Sequence, residues 1–386
     1  MAKYLNYDDE VRLITKKEDL RAYLNFRKEN DVWEQPTIQD VAVVGIENVP
    51  IALPQICAEN NIDGEDESNL ECIEANGLFL SFERSGQRII MPTRAIAFPS
   101  ICDRAGLSGP TISNFGALQT RRVLPVIDKA AWLSRGMSLD SRKCKILIRD
   151  EKVSAMLSAN YAILPADQLV RIAETEIAKE HPDFSFVDAS ISHECLHVHY
   201  LVNNANTDGR FQLLLRDIQY GDFETVKCGI GFATSDVGLS SAYAYPFFKI
   251  KDMCVRFGDS IAVKHNGGNT VETFAEKMEK VGVIFKEAED QVEKLGNTDL
   301  NSVVEVVRKI VAENPTIFPK AVSDEVIAEL DAEMDTSGTA IDAYIALNDI
   351  ITRYCATKNF DPALQLNLMD RVAYFLYFNY KKYDVD

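Results

Sequence analysis

The clearest pattern in the chain lies between Lys227 and Gly268, where apolar and aromatic runs are separated by turn residues. A Gly-punctuated run, Cys228–Thr234, precedes the polar turn Ser235-Asp236-Val237-Gly238, and the aromatic run Ser241–Phe248 follows it. Turn residues between β-branched and aromatic runs are typical of paired strands. We therefore expect two neighbouring strands in this segment.

Two other segments predict hairpins, and two predict helices. In Gly77–Pro92, two apolar runs flank a turn. In Cys144–Ser158, apolar and polar residues alternate on both sides of the turn Asp150-Glu151. Lys16–Asn30 has the spacing of an amphipathic helix. A second helix is expected to begin at Pro165, because proline is tolerated in the first turn.

Other segments are less decisive. Ala130–Asp140 is rich in turn residues and predicts a connector, while Phe184–Val202 predicts a long strand or a strand pair. Arg210–Arg216 predicts a strand or a helix. From Val271 onward the apolar period is helical, and the candidate helices are Val271–Leu295, Leu300–Glu313, Ser323–Glu333, Thr339–Thr357 and Pro362–Tyr380.

This order of elements predicts an α+β fold, with a mainly antiparallel sheet core, packed helices and a helical C-terminal region. We divide the chain into an N-terminal region, residues 1–83, an α+β core, residues 84–270, and an acidic helical C-terminal region, residues 271–386.

Composition agrees with a globular protein, because 46% of the 386 residues are hydrophobic and 26% are charged. No apolar run reaches the roughly 18–20 residues that span a bilayer, and the N-terminus lacks a signal-peptide pattern. We therefore expect a cytoplasmic protein without membrane contact. The eight cysteines form no C-x-x-C pair, which predicts reduced, mostly buried thiols.

The net charge of −18 argues against a general nucleic-acid coat, but the charge is unevenly distributed. Residues 41–80 contain eight acidic and no basic side chains, whereas residues 84–152 contain thirteen basic and five acidic ones. The basic segment either binds a polyanion or pairs with the acidic segment, and both interpretations stay open.

The aromatic strand suggests a binding surface. Alternation places Tyr243, Tyr245 and Phe247 on one face, beside several basic residues. Single-stranded nucleic acid binds where bases stack on rings and cations neutralise phosphates; a packed sheet face is the alternative. The candidate nucleic-acid-binding residues are Arg135, Arg142, Lys143, Lys145, Arg149, Tyr243, Tyr245, Phe247, Lys249, Lys251, Arg256 and Lys264.

Histidines cluster in Ser192–Tyr200, which reads SHECLHVHY. In a strand, His193, Cys195, His197 and His199 share one face, and an H-x-H pair there can chelate a metal. Residues two apart in a strand lie roughly 6–7 Å apart, so the whole set cannot bind one ion, and a half-exposed polar face is the alternative. The zinc-ligand candidates are His193, His197, His199 and His265, although no cofactor is expected.

No motif in the sequence assigns catalysis. The chain contains no G-x-x-x-x-G-K-[ST] and no G-x-S-x-G, and Gly229-Ile230-Gly231 is too short for a dinucleotide fingerprint. No catalytic residue is therefore named, and a non-catalytic protein is the favoured interpretation.

Several short motifs carry a family resemblance. They are the turn Ser235-Asp236-Val237-Gly238, Cys254 with Phe257-Gly258, Lys264-His265-Asn266-Gly267, and, upstream, Leu157, Ser158, Tyr161 and Pro165. In this order they resemble the phage/plasmid-like proteins of domain-of-unknown-function family 932, over residues 133–286. The chain departs from the family at Asp236, Phe257 and Lys264, where Glu, Asn and Arg are expected. The resemblance implies a fold and an association with mobile elements, but no chemistry, because the family has no established activity.

The basic segment, the aromatic strand and the resemblance together predict a phage- or plasmid-type protein that binds single-stranded nucleic acid as a homo-oligomer. It would support annealing or recombination without catalysis, in the host cytoplasm if phage-encoded. One alternative is a phage factor that binds a host defence protein through its acidic C-terminal surface. A second alternative is a metal-dependent enzyme that uses the candidate histidines.

Overall fold

A seven-stranded antiparallel sheet forms the centre of the computed structural model. The structure describes residues 4, 5, 7–46, 58, 77–114, 125–215, 226–250, 253–333, 337–358 and 362–384. The strands of this central sheet are β1 (Arg12–Ile14), β8 (Ser185–Ile191), β9 (Leu196–Leu201), β10 (Val226–Thr234), β11 (Ala242–Ile250), β12 (Met253–Arg256) and β13 (Ile261–Val263). Their order is β1-β8-β9-β10-β11-β12, and β13 pairs with β11.

Three smaller sheets complete the strands that the structure describes. The first has the order β2-β6-β7, the second β3-β4-β5, and the third is the pair β14-β15. Their bounds are β2 (Val32–Glu34), β3 (Ala42–Gly45), β4 (Leu78–Arg84), β5 (Gln87–Pro92), β6 (Cys144–Arg149), β7 (Lys152–Ser158), β14 (Asp299–Leu300) and β15 (Gly338–Thr339). Both predicted hairpins, β4-β5 and β6-β7, are confirmed.

Helices flank the sheets along most of the chain. Their bounds are α1 (Lys17–Asn30), α2 (Phe98–Arg104), α3 (Gly109–Asn114), α4 (Val126–Met137), α5 (Ala166–Glu180), α6 (Ala205–Leu214), α7 (Val271–Met278), α8 (Val281–Gly296), α9 (Val303–Glu313), α10 (Lys320–Glu333), α11 (Ala340–Ala356) and α12 (Pro362–Ala373). The predicted α+β class with an antiparallel sheet core is confirmed.

The two faces of the central sheet differ. Val198, Phe232 and Phe248 lie on the face that joins the main hydrophobic core, together with apolar side chains of α5, α7, α8 and α11. Burying each large apolar side chain there contributes about 1.5–3 kcal/mol. The opposite face carries Tyr245 and Phe247, whose apolar cluster also includes Leu366 of α12.

In three segments the structure either differs from the sequence prediction or decides between two predicted alternatives. Ala130–Asp140 is not a turn-rich connector, because most of it belongs to α4. Gly136 permits this helix to approach the end of α2: a Cβ at Gly136 would lie 3.0 Å from the carbonyl carbon of Ala105. Phe184–Val202 is the strand pair β8-β9, and the segment that contains Arg210 is the helix α6.

The structure also bears on the predicted division of the chain. The boundary after residue 83 falls inside β4, and β4 pairs with strands on both sides of it in sequence. The boundary after residue 270 falls between β13 and α7, yet both sides contribute side chains to the main core. The helices after residue 270 therefore pack on the central sheet.

Among the described residues, no helix combines the length and apolar character needed to cross a membrane.

Candidate functional site

A polar pocket of about 380 Å³ opens where four segments of the chain meet. These segments are α2, the end of β7 with the residues after it, the β10–β11 turn and the loop after β13. The lining residues are Ser100, Asp103, Arg104, Met156, Leu157, Ser158, Tyr161, Gly238, Leu239, Ser240, Ser241, Lys264, His265 and Asn266. Three of the motifs that carried the family resemblance therefore meet at this pocket, although they are far apart in sequence.

Hydrogen bonds fix His265 in the pocket wall. The backbone N–H of Ala162 donates to the carbonyl of His265 at 3.2 Å, and His265 Nδ1 donates to the carbonyl of Ala162 at 3.1 Å. His265 Nε2 lies 3.2 Å from Thr234 Oγ1. Burial lowers the pKa of His265, so the neutral ring carries its proton on Nδ1 and accepts from the Thr234 hydroxyl.

Stacked rings support the same wall. The rings of His265 and Tyr161 are nearly parallel, with centroids 5.2 Å apart, and Trp33 stacks on the other side of Tyr161 at 6.0 Å. The Tyr161 hydroxyl donates to the carbonyl of Ser235 at 2.9 Å. Gly238, with φ +83°, lets the turn pass close to Leu157. The stack thus holds the β10–β11 turn and the His265 loop in fixed positions.

Basic side chains surround the pocket. Arg104 and Lys264 line it, and Lys145 Nζ donates to the carbonyl of Tyr161 at 2.6 Å. Within the described part of the chain, Arg104 Nε is buried and has no hydrogen-bond partner. Asp103 is the acidic residue among those that line the pocket. We call Arg104, Lys145 and Lys264 the basic rim; with Asp103 included, the local charge stays positive.

An exposed ion pair lies close to this rim. Arg142 donates to Asp140, with Nη2 2.7 Å from Oδ2. Hydrogen bonds from Arg142, with a smaller contribution from Arg104, lower the pKa of Asp140 to about 2. The charge of Arg142 is thus largely neutralised by Asp140, which also attracts Arg104 of the rim.

A buried ion-pair network lies behind the pocket. Acidic and basic groups alternate in the order Asp8, Arg94, Asp150, Arg27, Asp31, Arg149, Asp236. Arg149 Nη2 is 2.6 Å from Asp31 Oδ2 and 3.2 Å from Asp236 Oδ2. Burial raises the pKa of Asp236, against the attraction of Arg149. Because Asp236 and His265 also attract each other, the network reaches the pocket wall.

The remaining basic residues predicted to bind nucleic acid lie in several environments. Arg135 and Lys143 are exposed, and Lys249 is half-buried. Arg149 is buried in the ion-pair network, and Arg256 is buried in an ion pair with Asp370, so neither is available to phosphates as predicted. Lys251 lies outside the described residues.

The aromatic strand is not an open stacking platform. Tyr243, Tyr245 and Phe247 share one face, as predicted, but they are only 7%, 1% and 1% exposed. The guanidinium of Arg256 lies 4.9 Å from the ring centroid of Tyr245 and covers it. The alternative interpretation, a packed sheet face, is therefore the correct one, and the stacking prediction for these rings is wrong in this structure.

The four candidate zinc ligands lie in three environments. His193 precedes β9, in the turn after β8, and is buried beside Arg94, Arg149 and other cations. His265 is held in the pocket wall, whereas His197 and His199 are neighbours on β9. Among the described residues, no group of three His, Cys, Asp or Glu side chains is arranged to hold a metal. Of the four candidates, the structure brings His197 and His199 side by side and places His193 and His265 elsewhere.

Sequence reasoning did not single out Arg104. Arg104 is one of the thirteen basic residues of the basic segment, and only its position at the end of a short helix could have distinguished it as a site residue.

No protein-family model matches the chain, and no curated protein or solved structure matches it either. The resemblance to family 932 therefore stays a prediction.

Proposed function

We propose that this protein binds single-stranded nucleic acid at the pocket and its basic rim, and supports annealing or recombination without catalysis. The observation that supports the proposal most is that Arg104 and Lys264 line one hydroxyl-lined pocket, while Lys145 donates to the carbonyl of the lining residue Tyr161. These cations come from three separate elements, so their proximity is a property of the fold. We further propose a homo-oligomer, because annealing requires two strands to be held close together.

The chemistry of the pocket suits a nucleotide of a flexible strand. A volume of about 380 Å³ falls in the range of small-ligand pockets, roughly 300–1,000 Å³. The basic rim would neutralise phosphates, and the hydroxyls of Ser158 and Ser241 would donate to phosphate or sugar oxygens. Because the rings of Tyr161 and His265 are largely buried, this mode relies on charge and hydrogen bonds more than on stacking.

The test is fluorescence anisotropy with a labelled strand of about 30 nucleotides, longer than the roughly 4–16 nucleotides that one single-strand-binding fold covers. Binding through the three cations of the rim predicts that log Kobs falls with log salt with a slope of about −2. Light scattering on the same sample is expected to report an oligomer. Absence of binding at low salt would contradict the proposal and would favour protein capture by the acidic C-terminal helices.

A further inference from the structure

Two histidines lie side by side on the second face of the central sheet. The ring centroids of His197 and His199 on β9 are 4.3 Å apart, and the rings are tilted by 57°. They are neighbours because residues two apart in a strand point to the same face. Both side chains are largely buried, at 0% and 9% exposure.

Each ring uses one nitrogen in a hydrogen bond. His199 Nδ1 is 2.8 Å from Asp188 Oδ1 on β8, and His197 Nε2 contacts the hydroxyl of Tyr245 on β11. Because a carboxylate only accepts, His199 carries its proton on Nδ1 and presents a lone pair on Nε2. A carboxylate that holds the far nitrogen of an imidazole is the usual outer shell of a metal-binding histidine.

The other nitrogen of each ring is unpaired. In the part of the chain that the structure describes, His199 Nε2 and His197 Nδ1 are both buried and have no hydrogen-bond partner. A buried polar atom without a partner costs about 1–3 kcal/mol, so two such atoms in adjacent rings need an explanation.

We propose that His199 Nε2 and His197 Nδ1 bind one divalent transition-metal ion of the class that imidazole prefers, such as Zn²⁺ or Co²⁺. In this state His199 donates its Nδ1 proton to Asp188, and His197 donates its Nε2 proton to the Tyr245 oxygen. Among the described residues no third His, Cys, Asp or Glu is arranged with the pair to hold an ion, so the remaining ligands would be water molecules that enter with the ion.

The Asp188 side of the pair lies nearest to solvent. The side chain of Asp188 is 25% exposed and that of His199 is 11% exposed, whereas the two unpaired nitrogens are themselves buried. The inference does not depend on nucleic-acid binding, because it rests on residues outside the pocket. It also differs from a four-histidine site, since His193 and His265 take no part.

The experiment uses the full chain, stripped with a chelator and then titrated with Co²⁺ followed by Zn²⁺. We expect one equivalent of Co²⁺, d–d bands without thiolate-to-cobalt charge transfer, and displacement by Zn²⁺. His199→Ala and His197→Ala are expected to abolish this binding. Asp188→Asn, which keeps both ligands, is expected to weaken it about 10–100-fold.

The matched control is His181→Ala, because His181 also has a buried Nε2 without a partner among the described residues but lies at the end of α5. This variant should bind Co²⁺ like the wild type, and circular dichroism should show that all variants are folded. Thiolate charge-transfer bands, no saturable binding, or wild-type affinity in Asp188→Asn and His199→Ala would each overturn the proposal.

Discussion

At the scale of single residues, two glycines explain why the aromatic face is closed. Gly229 and Gly231 on β10 lie opposite Phe247 and Tyr245 on β11 in the strand register. A Cβ at Gly231 would lie 2.6 Å from the Tyr245 hydroxyl oxygen, and one at Gly229 would lie 2.5 Å from Cζ of Phe247. The rings therefore lie across the sheet over the glycines, where larger side chains would push them outward.

Replacing Gly231 is expected to destabilise the protein. Gly231→Ala forces the Tyr245 ring to move and disturbs its contact with His197, so we expect a loss of about 1–3 kcal/mol in the free energy of unfolding. The matched control is Gly209→Ala in α6, where no atom lies within 4 Å of the added Cβ. This control is expected to stabilise by about 0.5–1 kcal/mol. If urea denaturation gave the same change in unfolding free energy for Gly231→Ala and Gly209→Ala, the close packing of Tyr245 on Gly231 would not explain the closed aromatic face.

Buried histidines make stability depend on pH. Burial, with nearby cations, holds the pKa of His193 and of His197 well below the ordinary value of 6.5. Below about pH 6.5 the unfolded chain binds protons that the folded chain excludes, so stability falls as the pH decreases and is regained above that pH. Each such histidine contributes a slope of about 1.4 kcal/mol per pH unit in this window.

Single-histidine variants test this prediction. Urea unfolding at about pH 7.5 and at about pH 5.5 should show a shallower pH dependence for His193→Gln than for the wild type. The comparison of slopes is independent of any constant loss of stability in the variant. An unchanged slope would mean that His193 is protonated in the folded protein, against the burial and the cations that surround it.

Reasoning from the sequence assigned the aromatic side chains to the correct face of the sheet, but it did not predict that this face is buried. Alternation placed Tyr243, Tyr245 and Phe247 on one face, and this is confirmed. Whether that face is covered depends on Arg256 and also on Leu366 and Asp370, which lie more than a hundred residues later in the chain. Strand periodicity carries no information about such distant partners.

At the scale of elements, the ion-pair network ties α1, the β6–β7 turn and the β10–β11 turn together. Arg149 at the end of β6 is paired with Asp31, just after α1, and with Asp236 in the β10–β11 turn. The β6–β7 turn has positive φ at both Asp150 and Glu151, which points Asp150 towards Arg27 and Arg94. The network thus fixes the β10–β11 turn, which is one of the segments that frame the pocket.

Removing the central cation of the network is expected to be costly. Arg149→Met removes a buried cation and leaves the partly buried Asp236 without its ion-pair partner, and we expect a loss of about 3–5 kcal/mol in unfolding free energy. The matched control is Arg142→Met, which removes an exposed ion pair with Asp140 and should leave the free energy of unfolding nearly unchanged. If thermal and urea unfolding rank the two variants equally, the network does not stabilise the fold.

Elements with strong local signals were predictable. The two hairpins, α1, and the start of α5 were recognised from turn residues and periodicity. α4 was missed because Gly136 was read as a turn residue, whereas it serves the close contact with α2. The predicted helix Val271–Leu295 is two helices, α7 and α8. The pocket was not predictable, because it joins segments more than a hundred residues apart.

At the scale of the whole molecule, the C-terminal helices belong to the core of the central sheet. Side chains such as Phe274, Phe285 and Tyr344 are buried in the same hydrophobic cluster as Phe232 and Phe248. The fragment 1–270 should therefore lack cooperative urea unfolding and near-ultraviolet circular dichroism, because its main core would be exposed to water. A cooperative transition in this fragment would show that the C-terminal helices form a separate unit.

The distribution of charge over the whole molecule places the proposed binding function at one site. The chain carries a net charge of −18, so a polyanion would be repelled from most of the surface. Arg104, Lys145 and Lys264 create a local exception around the pocket. The central claim is therefore that nucleic acid binds at this pocket and that other lysines contribute little.

The most direct measurement is anisotropy of a labelled single strand with two matched variants, Lys264→Gln at the pocket and Lys320→Gln at the exposed start of α10. The proposal predicts weaker binding and a salt slope that is shallower by about 0.7 for Lys264→Gln. It predicts wild-type values for Lys320→Gln. Identical binding curves for the two variants, or no binding by the wild type, would contradict the proposed site.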